Sequence, residues 1–138
     1  KKIMNLKVRH FNYHFLIWPE TIGAISFLAS TKKNEINNIF AGLVLSCLGG
    51  PKKNITFKHS RKNWLKEETY IDSLVNFFVK KEPKKFLHRN FSPLWGSDER
   101  QLCSPKINLP VVQVSKTFYG EYKEYHTSYD NYFSSQKS

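Results

Sequence analysis

The sequence of 138 residues contains few cysteines and no long hydrophobic run. Cys47 and Cys103 lie far apart, and neither belongs to a Cys-x-x-Cys pair, which argues against a disulfide framework or a structural zinc site. The longest apolar runs, at residues 22–29 and 41–48, are much shorter than the ~20 residues that a membrane span needs. We therefore expect a protein of the reducing cytoplasm with no membrane partner.

Acidic residues are scarce as well, with 11 Asp and Glu against 22 Lys and Arg, so the net charge is +11. Such an excess is typical of proteins that bind nucleic acids or anionic membranes. Arginine, which binds phosphates and bases best, accounts for only four of the cations, and the lysines occur mostly in doublets within polar stretches. No zinc-finger, RNA-recognition or basic-zipper pattern is present. A solvated lysine-rich surface is therefore favoured, and nucleic-acid binding is the least favoured function.

Apolar residues make up 40% of the chain and aromatic residues 15%, which is enough for the core of one domain. Patterns of apolar residues predict strands at residues 13–18, 40–48, 55–58 and 109–114. They predict helices at residues 19–29, with Pro19 in the first turn, and 67–81, the second ending before Pro83. We expect the first strand to be buried on both faces. Strands alternating with helices predict an α/β three-layer sandwich with a mixed, mainly parallel sheet.

In such folds, ligands bind at loops beyond the carboxyl ends of the strands, and three loops carry reactive side chains. Glu20, in Trp-Pro-Glu-Thr, lies where the first strand ends and the helix starts, and it suits either a general base or a carboxylate that complements a helix N-terminus. Ser97 or Asp98, in Gly-Ser-Asp-Glu-Arg, suits either a reactive loop or a helix cap. His126 lies among aromatic and hydroxyl residues, and a lone histidine is also common as a packed or surface residue.

The other histidines do not complete a metal site in this interpretation. His59 and His88 adjoin lysine and arginine, which places them in predicted surface segments. A catalytic zinc ion normally takes three protein ligands, and the spacing of residues does not assemble three.

Four blocks, taken in order, resemble the carboxyl-terminal half of a bacterial aminopeptidase-like domain: FLIWPETIGAISFL, AGLVLSCLGG, GSDERQLCSPKINLPV and YGEYKEYHTSYDN. This family is often described as polysaccharide-biosynthesis proteins with an aminopeptidase-like domain, and it is distantly related to zinc aminopeptidases and glutamate carboxypeptidase-like enzymes. The resemblance covers residues 12–133.

The resemblance implies a catalytic role for Glu20 as the general base that activates a zinc-bound water, and a role for His126 as a metal ligand. Thr21 stands where a second, metal-binding Glu is usual, and Ser46 or Cys47 stands where an Asp is usual. The resemblance therefore implies a zinc cofactor, bound weakly or not at all by this chain alone.

The same resemblance gives supporting roles to residues around the expected cleft. Asp98 corresponds to a position beside the active site, where it or Arg100 orients the substrate or neighbouring groups. The remaining expected wall residues of the pocket are Tyr119, Tyr122 and Tyr125. The expected substrate is a peptide or an amino-sugar-like small molecule.

Nothing before Tyr13 matches the family's first histidine motif or its bridging Asp. We therefore interpret residues 1–133 as the carboxyl-terminal part of one aminopeptidase-like domain and residues 134–138 as a disordered tail. The expected function is that of an incomplete zinc-dependent hydrolase, inactive alone and prone to self-association through an exposed strand edge. The alternative is a non-catalytic module that binds peptides or glycans in surface-polysaccharide synthesis.

Overall fold

The computed structural model describes residue 5 and residues 7–50, 52–118 and 120–131. These residues form the helices α1 (Ile22–Ser30), α2 (Lys33–Asn37), α3 (Arg61–Trp64), α4 (Tyr70–Lys81) and α5 (Glu99–Leu102), and the strands β1 (Gly42–Leu45), β2 (Ile55–Lys58), β3 (Phe86–Arg89) and β4 (Val111–Ser115). The sheet order is β1-β4-β2-β3. The pairs β1–β4 and β2–β3 are parallel, whereas β2–β4 is antiparallel. The predicted mixed, mainly parallel sheet is confirmed.

Strand β4 is the centre of the fold, and all five of its residues are buried. Successive side chains of a strand point to opposite faces, so Val111 and Val112 enter different cores. Val111 packs in a cluster with Ile36 of α2 and Leu102 of α5. Val112 packs in a second cluster on the opposite face, against side chains of α4. Helices therefore cover both faces of the sheet, as a three-layer sandwich requires.

Helix α4 forms where apolar side chains recur every three or four residues, and Ile71 and Val75 face the sheet. It begins three residues later than the pattern predicts because the Thr69 hydroxyl accepts the Asp72 backbone N–H and caps the helix. Two lysines complement its carboxyl end.

The expectation of a strand at residues 13–18, buried on both faces, is wrong. The segment forms no strand, and five of its six residues are exposed, Ile17 completely. An apolar run becomes a strand only where a neighbouring strand supplies hydrogen bonds, and the described residues supply none here.

Several short elements were not predicted, namely α2, α3, α5 and β3. Each spans four or five residues, too few to show a periodic apolar pattern. Within the described parts of the chain, no helix combines the length and the apolar character that a membrane crossing requires. The predicted disordered tail, residues 134–138, lies outside the described residues.

Candidate active site

Glu20 and Asp98, predicted from separate motifs, meet at one junction between the turn before α1 and the loop before α5. The indole N–H of Trp18 donates to Asp98 Oδ2 at 2.6 Å, and the backbone N–H of Thr21 donates to Asp98 Oδ1 at 2.6 Å. Asp98 is buried, so these hydrogen bonds form where water competes little. Asp98 therefore fixes the turn that carries Glu20.

The Glu20 side chain is anchored across the same junction. The hydroxyl of Ser97 donates to Glu20 Oε1, although 77 residues separate the two in sequence. Ser97 is buried, whereas Glu20 is exposed. The carboxylate is thus oriented from the protein side and open to solvent, an arrangement in which it can accept a proton from a bound water.

The helix-terminus interpretations agree with the positions of these carboxylates, but both side chains make other contacts. Asp98 occupies the N-cap position of α5, but its side chain makes no capping hydrogen bond and binds Trp18 and Thr21 instead. Glu20 precedes the N-cap residue of α1, and its carboxylate accepts from Ser97. Both side chains connect distant segments.

Among the described residues, positive φ angles occur at non-glycine residues in all four sequence blocks, and once outside them. These residues are Thr21 (65°), Cys47 (51°), Asn108 (49°) and His126 (58°) within the blocks, and Lys66 (63°) outside them. A positive φ is rare for a β-branched residue such as Thr21, whose φ of 65° and ψ of −62° cost about 1–3 kcal/mol, and such conformations cluster at functional sites. At Thr21 the hydrogen bond from its N–H to Asp98 offsets part of that cost.

A buried ion pair supports the loop that carries Ser97 and Asp98. Lys58, at the end of β2, lies 2.7 Å from Glu99 Oε1, and both side chains are 0% exposed. Glu99 Oε2 accepts the Ser97 backbone N–H at 2.9 Å. The Lys58 ammonium also donates to the carbonyl oxygens of Ser92 and Trp95, so all three of its protons are used.

Burial lowers the pKa of Lys58, and the adjacent Glu99 carboxylate partly offsets this effect. The ion pair also explains Gly96, whose φ is 138° and whose place could not hold a side chain without a collision with Glu99. The glycine of the GSDER block is therefore required by the packing around the ion pair.

Arg100 follows this ion pair on α5 and is half-buried. Its Nε atom is buried and has no hydrogen-bond partner among the residues that the structure describes. The predicted role of Arg100 in orienting the substrate stays a prediction.

His126 and Tyr125 lie in a second group, in the turns after β4. Their rings stack with centroids 4.0 Å apart, and Tyr122 packs edge-on against Tyr125. Burial, together with the hydrogen bond to Asp130 and the nearby Cys47, raises the pKa of Tyr122. Tyr119 lies outside the described residues.

Glu121 connects this second group to the body of the fold. Its carboxylate lies 2.6 Å from Arg89 and 2.8 Å from Lys52, and it accepts the Phe118 backbone N–H. Burial acts to raise the pKa of Glu121, but the hydrogen bonds from these three donors lower it to about 2. The ion pairs therefore hold the start of the segment that carries His126.

The described residues hold no group of three or more His, Cys, Asp or Glu side chains placed to bind a metal ion. Because a catalytic zinc ion normally takes three protein ligands, these residues do not fit one by themselves. His126 as a zinc ligand stays a prediction.

Comparison with known proteins identifies the family of this chain. The profile of a domain of unknown function, DUF4910, matches residues 1–137. The chain belongs to the DUF4910 family.

One relative, from Clostridium acetobutylicum, is 39% identical over 132 residues, which are 95% of this chain and 28% of that protein. Its name, which was given by inference, describes a polysaccharide-biosynthesis protein with an aminopeptidase-like domain. A crystal structure named, also by inference, as a peptidase of the same organism is similar over 82% of this chain and 25% of its own, with a TM-score of 0.69 and 36% identity. The predicted resemblance is confirmed, and the DUF4910 chain described here spans little more than a quarter of these relatives.

The structure also contains a buried polar network that sequence reasoning missed. His59 Nδ1 lies 2.8 Å from Asp72 Oδ1, and His59 Nε2 lies 3.0 Å from His88 Nδ1. Asp72 further accepts the backbone N–H and the hydroxyl of Ser60 and the hydroxyl of Thr69. The expectation that His59 lies at the surface is wrong, since it is 2% exposed, whereas His88 is exposed as predicted.

Burial acts to raise the pKa of Asp72, but these hydrogen bonds outweigh it and lower the pKa. Four donors on one carboxylate indicate that Asp72 is ionised and that His59 presents Nδ1–H to it. Lys58, His59 and Ser60 are consecutive residues at the end of β2. Sequence patterns did not predict their burial because charged and polar residues are usually exposed. A capping pattern at Thr69 with Asp72 three residues later was the one available signal.

Proposed function

We propose that the chain forms the general-base part of the active site of an aminopeptidase-like hydrolase that cleaves a peptide or amide bond. The observation that supports this proposal most directly is the Glu20 carboxylate, exposed to solvent and held by Ser97 on a turn that Asp98 fixes. The names of the C. acetobutylicum relatives support the reaction class.

In the proposed reaction, Glu20 accepts a proton from a water molecule while the water oxygen bonds to the carbonyl carbon and the carbonyl π electrons move to oxygen. When the tetrahedral intermediate collapses, the C–N bond breaks and Glu20 returns the proton to the leaving nitrogen. Zinc belongs to the proposal only with ligands from other parts of a longer protein, His126 being the ligand that this chain contributes.

The test uses a chimera in which this chain replaces the matched 132 residues of the C. acetobutylicum relative. We expect the chimera to hydrolyse aminoacyl anilides or short peptides and the 138-residue chain alone to be inactive. Glu20→Gln in the chimera should lower kcat by about 100-fold or more, because it removes the proton acceptor. Glu35→Gln, at an exposed position of α2, is the matched control.

Equal kcat values for the Glu20→Gln chimera and its parent would overturn the assignment of the base. Hydrolysis by the chain alone would refute its expected dependence on a larger protein. A folded chimera that hydrolyses none of these substrates would overturn the hydrolase proposal.

That last result would support the second candidate function, a non-catalytic module for peptides or glycans. Thr21 and Ser46, which stand where the resemblance implies metal ligands, favour this candidate. Binding of amino-sugar oligomers or short peptides to the chimera, measured by calorimetry, tests it, and Arg100→Ala should weaken that binding. A cytoplasmic location stays a prediction, with which the two free cysteines agree.

A further inference from the structure

The buried network beside β2 contains a carboxylate whose hydrogen bonds are satisfied but whose charge is not neutralised. Asp72 is 2% exposed, and within the described chain it accepts from Ser60, Thr69 and His59, all of which are uncharged when His59 is neutral. The first turn of α4 stabilises the carboxylate through the helix dipole without cancelling its charge. Buried charges are normally paired or lie beside a metal ion, so the network lacks one positive charge.

Two imidazole nitrogens lie where such a charge could be held. His59 Nδ1 faces Asp72, which leaves His59 Nε2 with a lone pair directed at His88 Nδ1, 3.0 Å away. A divalent ion such as Zn²⁺ binds imidazole nitrogen at about 2.0–2.1 Å, so two nitrogens on one ion lie about 2.9 Å apart at a right angle and about 3.3 Å apart at the tetrahedral angle. The observed separation falls within this span.

The position of Asp72 behind His59 is a second feature of metal sites. A histidine that binds a metal ion usually donates its other ring N–H to a carboxylate, which fixes the orientation and the tautomer of the ring. His59 Nδ1 lies 2.8 Å from Asp72 Oδ1, and the hydroxyls of Ser60 and Thr69 both donate to Asp72 Oδ2. His59 is therefore held with Nε2 available before any ion binds.

The pair is open to solvent on one side and lies away from the candidate active site. His59 is buried, whereas His88 is exposed on β3, the terminal strand of the described sheet. Because His88 is exposed, its ring can turn until both lone pairs converge on one ion, and water can fill the remaining positions. Lys58 contacts Glu99 of α5, whereas His59 contacts Asp72 of α4, on the other face of the sheet.

We propose that His59 Nε2 and His88 Nδ1 bind one first-row divalent metal ion, with Asp72 as the carboxylate that orients His59. Imidazole suits Zn²⁺, Ni²⁺ and Cu²⁺, and Zn²⁺ is the ion used in the test. With two protein ligands, the site binds its ion more weakly than a catalytic centre, which takes three. The proposal does not depend on hydrolase activity or on Glu20.

The test measures Zn²⁺ binding to the 138-residue chain by calorimetry and identifies the ligands by ¹⁵N NMR of the imidazole rings. We expect the His59 Nε2 and His88 Nδ1 resonances to shift. His88→Gln keeps an N–H donor for His59 but should weaken binding about 100-fold or more, since losing a ligand costs more than losing its support. Asp72→Asn should weaken it about 10- to 100-fold. His10→Ala/His14→Ala, at exposed positions, is the control and should bind as the wild type does.

Circular dichroism checks that each variant is folded. A wild-type chain that binds no Zn²⁺, or binding that His88→Gln leaves unchanged, would overturn the proposal. Resonance shifts confined to other histidines would overturn it as well, because the ion would then bind elsewhere. If no Zn²⁺ binds and both ring nitrogens of His59 carry protons at neutral pH, the missing positive charge is a proton instead.

Discussion

The residues at the end of β2 and those of strand β1 contrast in burial: polar side chains are buried in the first region, and apolar side chains are exposed in the second. Lys58, His59 and Ser60 are polar and almost completely buried, whereas Leu43 and Leu45 are apolar and exposed. In the first region every charge has partners, which is the condition for burying charges without a large penalty. In the second region, the described chain does not cover the two leucines. The first region is therefore fully packed, whereas the second leaves apolar surface in contact with solvent.

The largest expected effect comes from breaking the buried ion pair. Lys58→Ala leaves Glu99 charged and buried without its partner, so the free energy of unfolding should fall by about 3–5 kcal/mol. Urea unfolding monitored by tryptophan fluorescence measures this change. Lys62→Ala removes a partly exposed ion pair with Glu67 and should cost about 1 kcal/mol or less. Equal effects of the two variants would contradict the view that the buried ion pair at the end of β2 stabilises the fold more than a surface ion pair does.

A smaller effect is expected at Asp72, with a defined pH dependence. Asp72→Asn removes a charged acceptor of four hydrogen bonds, and stability at pH 7 should fall by about 2 kcal/mol or more. Because the folded-state pKa of Asp72 lies below its ordinary value, the unfolded chain binds the proton first as pH falls. This contribution is therefore complete above about pH 4 and is lost as pH falls further, through the folded-state pKa.

Unfolding measured between pH 7 and pH 3 should show the wild-type chain losing more stability than Asp72→Asn. Asp130→Asn, which changes an exposed carboxylate, is the control and should follow the wild type. A difference between wild type and Asp72→Asn that is the same at every pH would show that Asp72 does not titrate as inferred.

The smallest effect is expected at the exposed leucines of the isolated chain. Leu43→Lys/Leu45→Lys changes two exposed side chains, so the free energy of unfolding should change by about 0.5 kcal/mol or less per site. The variant should also bind less of a hydrophobic dye than the wild-type chain. A loss of several kcal/mol would mean that both leucines are already buried, and the contrast with β2 would disappear.

Sequence patterns predicted the elements with repeating apolar residues and missed those without them. The spacing of Ile71 and Val75 was enough to predict α4, and the apolar run around Val111 and Val112 was enough to predict β4. The four-residue helix α5 is too short to show such a period, and its Glu99 contacts Lys58, 41 residues away in sequence.

The candidate site shows the same division. The sequence identified Glu20, Asp98 and His126 as candidate residues, but it did not indicate that Ser97 binds Glu20 or that Asp98 binds Trp18. Those hydrogen bonds join segments 77 and 80 residues apart. Local patterns contain no information about such distant pairs.

By itself, the sequence determined the class of fold, the family resemblance and the residues worth testing, since these follow from local periodicity and from motifs in order. Only the tertiary structure decided that Lys58 and His59 are buried and that Leu43 and Leu45 are exposed. The physical reason is that burial depends on what the rest of the chain packs against a side chain, and a buried charge is stable only where distant residues supply its partners.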